Sequence, residues 1–264
     1  MDKLMRRKIR SGSLRDALAV VNGMEDTTAI LVPVILRDHL GIFNAALLRA
    51  QEVPPICMKH LLNKPKMLRL ALSRGLDPNV TIDGISAVEM AAKKHLYGSL
   101  KELLSLDDIR VSRYVLNKVK TKAELYMLAL RHMEPTRLDV IYALQIRSTP
   151  LLQLCLDKLT ETVPDLSSMD IDGEEDDEEK QKREQRAANA EWASKVIDIL
   201  QCPILLRPTA EPVKAPSGHI YDQSCIYDWV ATNRTNPMTR QPLNKSDLVT
   251  VGATVLGPEL LEGI

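Results

Sequence analysis

The side chains able to do covalent or metal chemistry are few. The 264 residues hold four cysteines, Cys57, Cys155, Cys202 and Cys225, and five histidines. No two cysteines stand at CxxC spacing, the usual mark of a zinc site. Cys202, His219 and Cys225 form one local group, enough at most for a single incomplete site. Four scattered cysteines are too few for a disulfide scaffold. His39, His60, His95 and His132 stand alone in helical patterns, where a surface or hydrogen-bonded core role is the ordinary one. There is no GxxxxGK[ST] phosphate loop, GxSxG nucleophile elbow or HExxH metal helix. No cofactor and no metal is implied.

The elements that must position these residues are of two kinds. Apolar stretches at helical spacing fill the first 165 residues: Ser13 to Asn22, Ile42 to Ala50, Ile56 to Leu62, Met67 to Ser73, Ala123 to Arg131 and Leu138 to Gln145. Short breakers separate them, and no period-2 strand intervenes. Aromatics are only 3% of the chain, with Phe43 the single Phe, so the core is Leu, Ile, Val, Ala and Met, which favours helices. From Cys202 to Val249 the composition shifts to Pro, Gly, Thr and Asn. One apolar helix is expected at Ser224–Val230, with Asp222 able to cap it. A hairpin is expected with Val213 and Ile220 in its strands and Pro216-Ser217-Gly218 as its turn. In the tail, Gly252 and Gly257 interrupt, and only Pro258–Glu262 looks helical, with Pro at its first position.

The formal charge is zero, with 35 basic and 35 acidic side chains, but the sum hides unequal parts. Residues 1–165 hold 25 basic and 18 acidic groups (+7), residues 166–191 hold 4 and 10 (−6), and residues 192–264 hold 6 and 7 (−1). Residues 166–178, with an acidic block beginning at Asp170, read as a solvated linker. Residues 179–200 lack Gly and Pro and read as a connecting helix. Trp192, Val196, Ile199 and Leu200 recur at helical spacing near its end and should dock. A zero total argues against a protein-wide nucleic-acid footprint. The longest apolar run, Ala29–Leu36, is far below the ~20 residues that cross a bilayer. The expected compartment is a reducing one, the cytoplasm. The basic run Arg6, Arg7, Lys8, Arg10 adds the nucleus as a second option, though a solvated face of a terminal helix is the ordinary reading of such a run.

The last segment carries a specific string. Cys202-Pro203-Ile204 is followed by Glu211-Pro212-Val213, by Pro216-Ser217-Gly218 with Tyr221, by Ile226 with Trp229-Val230, and by Asn236-Pro237, Thr239-Arg240 and Pro242-Leu243. This string closely resembles the U-box family over about fifty residues, roughly a fifth of the chain. The resemblance implies a RING-shaped fold without zinc, in which polar contacts replace the metal sites. A zinc RING needs eight Cys/His ligands around two ions. Cys202, His219 and Cys225 cannot supply them.

The resemblance also implies an activity, an E3 ubiquitin-protein ligase. The module binds a ubiquitin-conjugating enzyme (E2) charged with ubiquitin and promotes direct transfer to a substrate lysine by positioning, without a covalent intermediate of its own. Cys202 and Cys225 are then small buried hydrophobes, not nucleophiles. By position, Ile204, Leu206, Trp229 and Pro237 fall in the family's E2-binding groove, with core packing the alternative for Ile204 and Leu206. Arg240 falls where the family donates hydrogen bonds to both E2 and ubiquitin, a task suited to a forked guanidinium. The alternative for Arg240 is a contact to a loop carbonyl. Cys202, Pro203, Pro216, Ser217, Gly218, Tyr221 and Asp222 read as structural scaffold. Asn236 replaces the family's common Asp, which puts a charge contact of the second loop in question. The family usually continues into a longer helix than this tail allows.

Residues 75–104 resemble an ankyrin repeat. Gly75, Asp77, Pro78 and Asn79 match the turn; Gly84, Ser86, Val88, Ala91 and Ala92 match the first helix and its entry; Leu100, Leu103 and Leu104 match the second helix. Ala87, Glu89 and His95 depart from the pattern. A weaker echo stands at Leu125–Leu144, at an irregular period. The expected organisation is therefore mainly α: a helical ankyrin-like domain (1–165) that recruits a protein substrate, an acidic linker (166–178), a connecting helix (179–200) and a small α+β U-box (201–264). The partners implied are E2, ubiquitin and the substrate, with no nucleic acid and no membrane. Homodimerisation stays open. A pathogen effector acting in a host cytosol stays open as a source. The competing function is a non-catalytic scaffold with a degenerate U-box.

Overall fold

The computed structural model describes residues 3–161 and 177–262. The chain is mainly helical, with a small α+β region at its C-terminal end, and divides into two compact units, Met1–Met133 and Glu134–Ile264.

In the first unit, α1 (Lys3–Ser11), α2 (Leu14–Asn22), α3 (Leu31–Arg37), α4 (Leu40–Leu47), α5 (Cys57–Leu61) and α6 (Pro65–Leu72) precede a short hairpin of β1 (Thr81–Ile82) and β2 (Ile85–Ser86). Then come α7 (Ala87–Lys93), α8 (Tyr97–Leu104), α9 (Arg113–Val119) and α10 (Ala123–Leu130). Local chemistry sets the ends. Ser13 and Asp16 form a reciprocal capping box at α2. Pro65 opens α6, where a missing N–H costs nothing. Asp83 and Gly84 both take positive φ, the two-residue turn that matches strand twist. Ser86 caps α7 by accepting the N–H of Glu89 at 3.2 Å. His95, where the ankyrin pattern has Gly, takes φ +55° to leave α7, with its Nδ1 3.1 Å from the Tyr97 hydroxyl.

Alternate helices of this unit pack on one another: α4 on α6, α6 on α8, α8 on α10, and likewise α7 on α9. Ala91 and Ala92 are fully buried at the close approach. The echo at Leu125–Leu144 is not a repeat of α7 and α8. It begins inside α10 and crosses the unit boundary, and after α8 the next helix to pack on α7 is α9.

The second unit begins with α11 (Arg137–Gln145), capped by Thr136 and Asp139, and α12 (Thr149–Glu161). Residues 166–176 of the expected linker lie outside the described residues. Its last two, Asp177 and Glu178, open α13 (Asp177–Leu200), where acidic groups complement the helix dipole. The composition places a boundary at residue 165, but α11 and α12 belong with α13. Leu151, Leu152, Cys155, Leu156 and Leu159 of α12 are buried, and α12 packs along α13, where Ala190, Ala193 and Val196 are buried. An acidic run marks where water is. The apolar faces on either side decide what packs together.

After α13, β3 (Gln201–Cys202) pairs antiparallel with β4 (Arg207–Pro208). A three-stranded antiparallel sheet follows, in order β6 (Ile220–Asp222), β5 (Pro212–Lys214), β7 (Val249–Thr250), with Val213 opposite both Tyr221 and Thr250. Helix α14 (Gln223–Asn233) packs on it over a core of Cys202, Val213, Ala215, Tyr221, Ile226, Val230, Leu243 and Leu248. The tail forms a 3-10 turn, Gly252–Leu256, and α15 (Gly257–Leu261). Leu256 is buried, the 3-10 turn packs on α11 and α13, and Trp192 Nε1 donates to Leu260 O at 2.9 Å.

Candidate functional site

Two buried polar nodes hold the loops around this small core. The first is Asp222, the cap of α14. Its Oδ1 accepts from the Ser224 N–H (3.1 Å), the Ser224 hydroxyl (2.6 Å) and the Cys225 N–H (3.4 Å). Its Oδ2 accepts from the Thr209 hydroxyl at 2.7 Å, and Thr209 Oγ1 accepts from the Glu211 N–H at 3.0 Å. Burial works against the carboxylate, but the donors from Ser224, Thr209 and Cys225 outweigh it and hold its pKa below the usual range. Through this one side chain the start of β5 and the helix cap are fixed together.

The second node is Asn236. Its Oδ1 accepts from the Tyr221 hydroxyl (2.9 Å) and from the N–H groups of Met238 (2.9 Å) and Thr239 (3.1 Å). Its Nδ2 donates to Ser217 Oγ at 2.9 Å, which stands 3.0 Å from His219 Nδ1. Its N–H donates to Gln241 O and its own carbonyl accepts from the Arg240 N–H. The turn before α14 and the loop after it are thereby joined. Burial raises the Tyr221 pKa and keeps the phenol a donor.

The thiols are not poised for attack. Cys202 Sγ and Cys225 Sγ are 3.4 Å apart and unbonded, and the Cys225 thiol points at Asp222 O. Burial first, then the Cys202 thiol and the nearby charges, push Cys225 up to about 12. Among the described residues no three His, Cys, Asp or Glu side chains converge on a metal-sized site. His219 instead faces Ser217.

The residues singled out for binding lie at the edges of this scaffold. The turn after Cys202 is tightened by the Leu206 N–H donating to Cys202 O at 2.8 Å. Leu206 sits at φ +55° and is 73% exposed, whereas Ile204 is half-buried and packs on the core. Trp229, 37% exposed, donates Nε1–H to Thr235 O at 2.9 Å, fastening the end of α14 to the second loop. Pro237 is half-buried beside Asn236, and Pro203 is half-buried beside Cys202. Pro216, Ser217 and Gly218 make the exposed β5–β6 turn, with Gly218 at φ +88°. Arg240 is exposed at φ +60°, and among the described residues no hydrogen bond or ion pair engages its guanidinium. Two features escaped the sequence reading. Asn236 is the hub of the second loop, a role its position before Pro could have suggested, since Asn favours side-chain-to-backbone turns. Met238, 55% exposed, adds a further apolar side chain to that loop.

These contacts frame a segment that comparison assigns. Residues 196–254 match the family model of the U-box domain, so the C-terminal part of the chain is a U-box domain. The U-box domain-containing protein 19 of Arabidopsis thaliana is 43% identical over 75 residues, covering 28% of this chain and 11% of that protein. The E3 ubiquitin-protein ligase LubX of Legionella pneumophila (strain Paris) is 34% identical over 61 residues, covering 23% and 25%. The peptidyl-prolyl cis-trans isomerase-like 2 of Aspergillus fumigatus is 42% identical over 48 residues, covering 18% and 8%. The matches thus span a quarter or less of these relatives' lengths. No solved structure matches the chain significantly.

Proposed function

We propose that this chain is an E3 ubiquitin-protein ligase. Its U-box domain receives a ubiquitin-charged E2, and its N-terminal helices recruit the protein to be modified. The observation that carries this reading is the U-box domain itself, with Leu206 and Met238 left exposed on its two loops and Trp229 exposed near the end of α14. Exposed apolar side chains on a fixed scaffold are what a docking patch requires. Ile204 and Pro237, both half-buried, are the further apolar residues offered to E2. The chemistry is positioning: the thioester stays on the E2, and holding it in a reactive geometry accelerates attack by a substrate lysine. Arg240, free to reach outward, bridges E2 and ubiquitin with its forked guanidinium. Cys225, held as a thiol, takes no ubiquitin itself.

The substrate-recruiting role falls to the stacked helices of the first unit, with the β1–β2 hairpin, α7 and α8 as an ankyrin-like element. A non-catalytic scaffold would be suggested by Asn236 in place of the family's common Asp and by the short tail. Asn236 makes the hydrogen bonds that order the second loop, and the tail packs on α13, so neither feature favours that alternative.

The test is reconstitution with ubiquitin, activating enzyme, ATP and a panel of E2 enzymes. Ubiquitin chains should form with at least one E2 and be lost on Ile204→Ala. Absence of chains with every E2, or full activity of that variant, would overturn the reading.

A further inference from the structure

Several lysines of the first unit are scattered along the sequence but lie at the starts of α6, α8 and α10 or in the turns before them. Helices α6, α8 and α10 stack, so the loops that lead into them fall along one edge. Gly98 near the start of α8 packs on Pro65 at the start of α6: a Cβ there would stand 3.2 Å from the proline ring. Lys122, at the start of α10, lies over the Tyr97 ring at 5.5 Å, and Lys101 of α8 pairs with Glu124 of α10. Lys64 reaches back to Asp38 and Ile35 O. Lys66, Lys93, Lys94, Lys118 and Lys122, at the starts of these helices or in the helix ends and turns that lead into them, are all exposed. The two acids among them, Asp38 and Glu124, are each taken up by an ion pair. The helix ends add to the field. The N-termini of α6, α8 and α10 point their N–H dipoles at this edge, and no side chain caps any of the three. Between the starts of α8 and α10 lies an open groove of about 530 Å³, walled by Tyr97, Lys101, Lys122 and Leu125.

We propose that this edge is a docking surface for an acidic polypeptide segment, one that presents several carboxylates and seats an apolar side chain in the groove. The proposal rests on the substrate-recruiting role given to this unit and names the chemistry of what is recruited. Lysines suit spaced single carboxylates, each a point charge with a flexible stem. A nucleic-acid strand fits less well. Single-strand binding relies on open aromatic platforms, and the two tyrosines here, Tyr97 and Tyr114, already carry Lys122 and Lys118 over their rings.

The test uses the full chain and a fluorescein-labelled 16-residue peptide of alternating Asp/Glu and Leu, with a twin in which every acid is its amide. Anisotropy should show the acidic peptide bound at least tenfold more tightly than its twin and weakened by added salt. Lys93→Glu with Lys94→Glu and Lys122→Glu should weaken it tenfold or more. Lys180→Glu with Lys182→Glu, on α13, should leave it unchanged. The milder Lys66→Ala with Lys94→Ala should weaken it measurably, which guards against misfolding of the triple variant. Equal binding of both peptides, or no loss in either edge variant, overturns the proposal. Duplex or single-stranded DNA bound more tightly than the peptide, with the same losses, also overturns it in favour of nucleic acid. Ubiquitin-chain formation without substrate should persist in the edge variants. Ile204→Ala should abolish chains but keep peptide binding, so failure of the ligase reading and failure of this one are told apart.

Discussion

Tyr221 and Asn236 are joined by a buried 2.9 Å hydrogen bond from the phenol to Oδ1, and the same oxygen takes the N–H groups of Met238 and Thr239. One amide oxygen thus satisfies three donors, of which the Tyr221 phenol is buried. Asn236→Ala leaves them unpaired and should cost about 2–3 kcal/mol, whereas Tyr221→Phe removes donor and bond together and should cost about 1 kcal/mol. Asn236→Asp keeps the oxygen, lets the Ser217 hydroxyl turn to donate, and should fall close to wild type. Urea unfolding of the three variants checks the order; Asn236→Ala proving the mildest would refute the hub.

Asp222 gives the domain a pH signature. Its pKa is lowered in the folded state, so the carboxylate stabilises the fold fully above its unfolded value, roughly pH 4. That contribution is lost as pH falls through the lower folded value. Stability should therefore be insensitive to this group between pH 7 and 5 and decline below pH 4. In Asp222→Asn, which loses the charge-assisted caps to Ser224 and Cys225, the starting stability should be lower and the acid decline shallower. Identical acid profiles for the two proteins would count against this account.

How far the sequence could be read depends on whether the cause was local. Asp222 as a cap, the Pro216–Gly218 turn and the docking of Trp192 and Val196 each follow from a few neighbouring residues, and the structure has Asp222 bonded to Ser224, Gly218 at positive φ and Trp192 buried. Asn236 was visible only as a departure from a pattern, because its partner Tyr221 is 15 residues away. The division at Met133 was hidden for a similar reason. The acidic run beyond residue 165 stands out in composition, whereas the apolar face that α12 turns to α13 shows only once the two helices meet. The lysine edge needed the stacking of α6, α8 and α10 to bring separated loops into line.

A thiol pushed up to about 12 by burial stays protonated at neutral pH, so Cys225 should not carry ubiquitin. Cys225→Ala should retain chain formation within a few-fold, and no reductant-sensitive ubiquitin adduct of the protein should appear on non-reducing gels. Cys202→Ala should behave likewise in activity but lose stability, since its side chain is fully buried. A thioester trapped on either cysteine would rule out the positioning mechanism.

If Leu206 contacts E2 as proposed, its binding and its effect on stability are separable. The side chain is 73% exposed and its backbone is at φ +55°, a conformation that strains a residue bearing a Cβ. Leu206→Gly should therefore stabilise the domain, by up to roughly 1 kcal/mol, while weakening E2 binding. The paired readouts are thermal unfolding and titration with a cognate E2. A variant that loses both would mean that Leu206 serves the core.

Arg240 makes the sharpest demand on the mechanism. Its backbone N–H closes the second loop on Asn236 O at 2.9 Å, but among the described residues nothing engages its guanidinium. Removing the side chain should leave unfolding unchanged. If the guanidinium bridges E2 and ubiquitin, Arg240→Ala should bind uncharged E2 within a few-fold of wild type, because ubiquitin is absent from that complex. It should nonetheless discharge ubiquitin from charged E2 at least tenfold more slowly, the loss appearing in the transfer rate rather than in affinity. Arg240→Lys keeps the charge but not the fork, so it should recover only a minor part of the rate. Single-turnover discharge to free lysine measures all three proteins. Full rescue by lysine would reduce the role to a point charge, and equal loss of affinity and rate would make Arg240 an ordinary E2 contact.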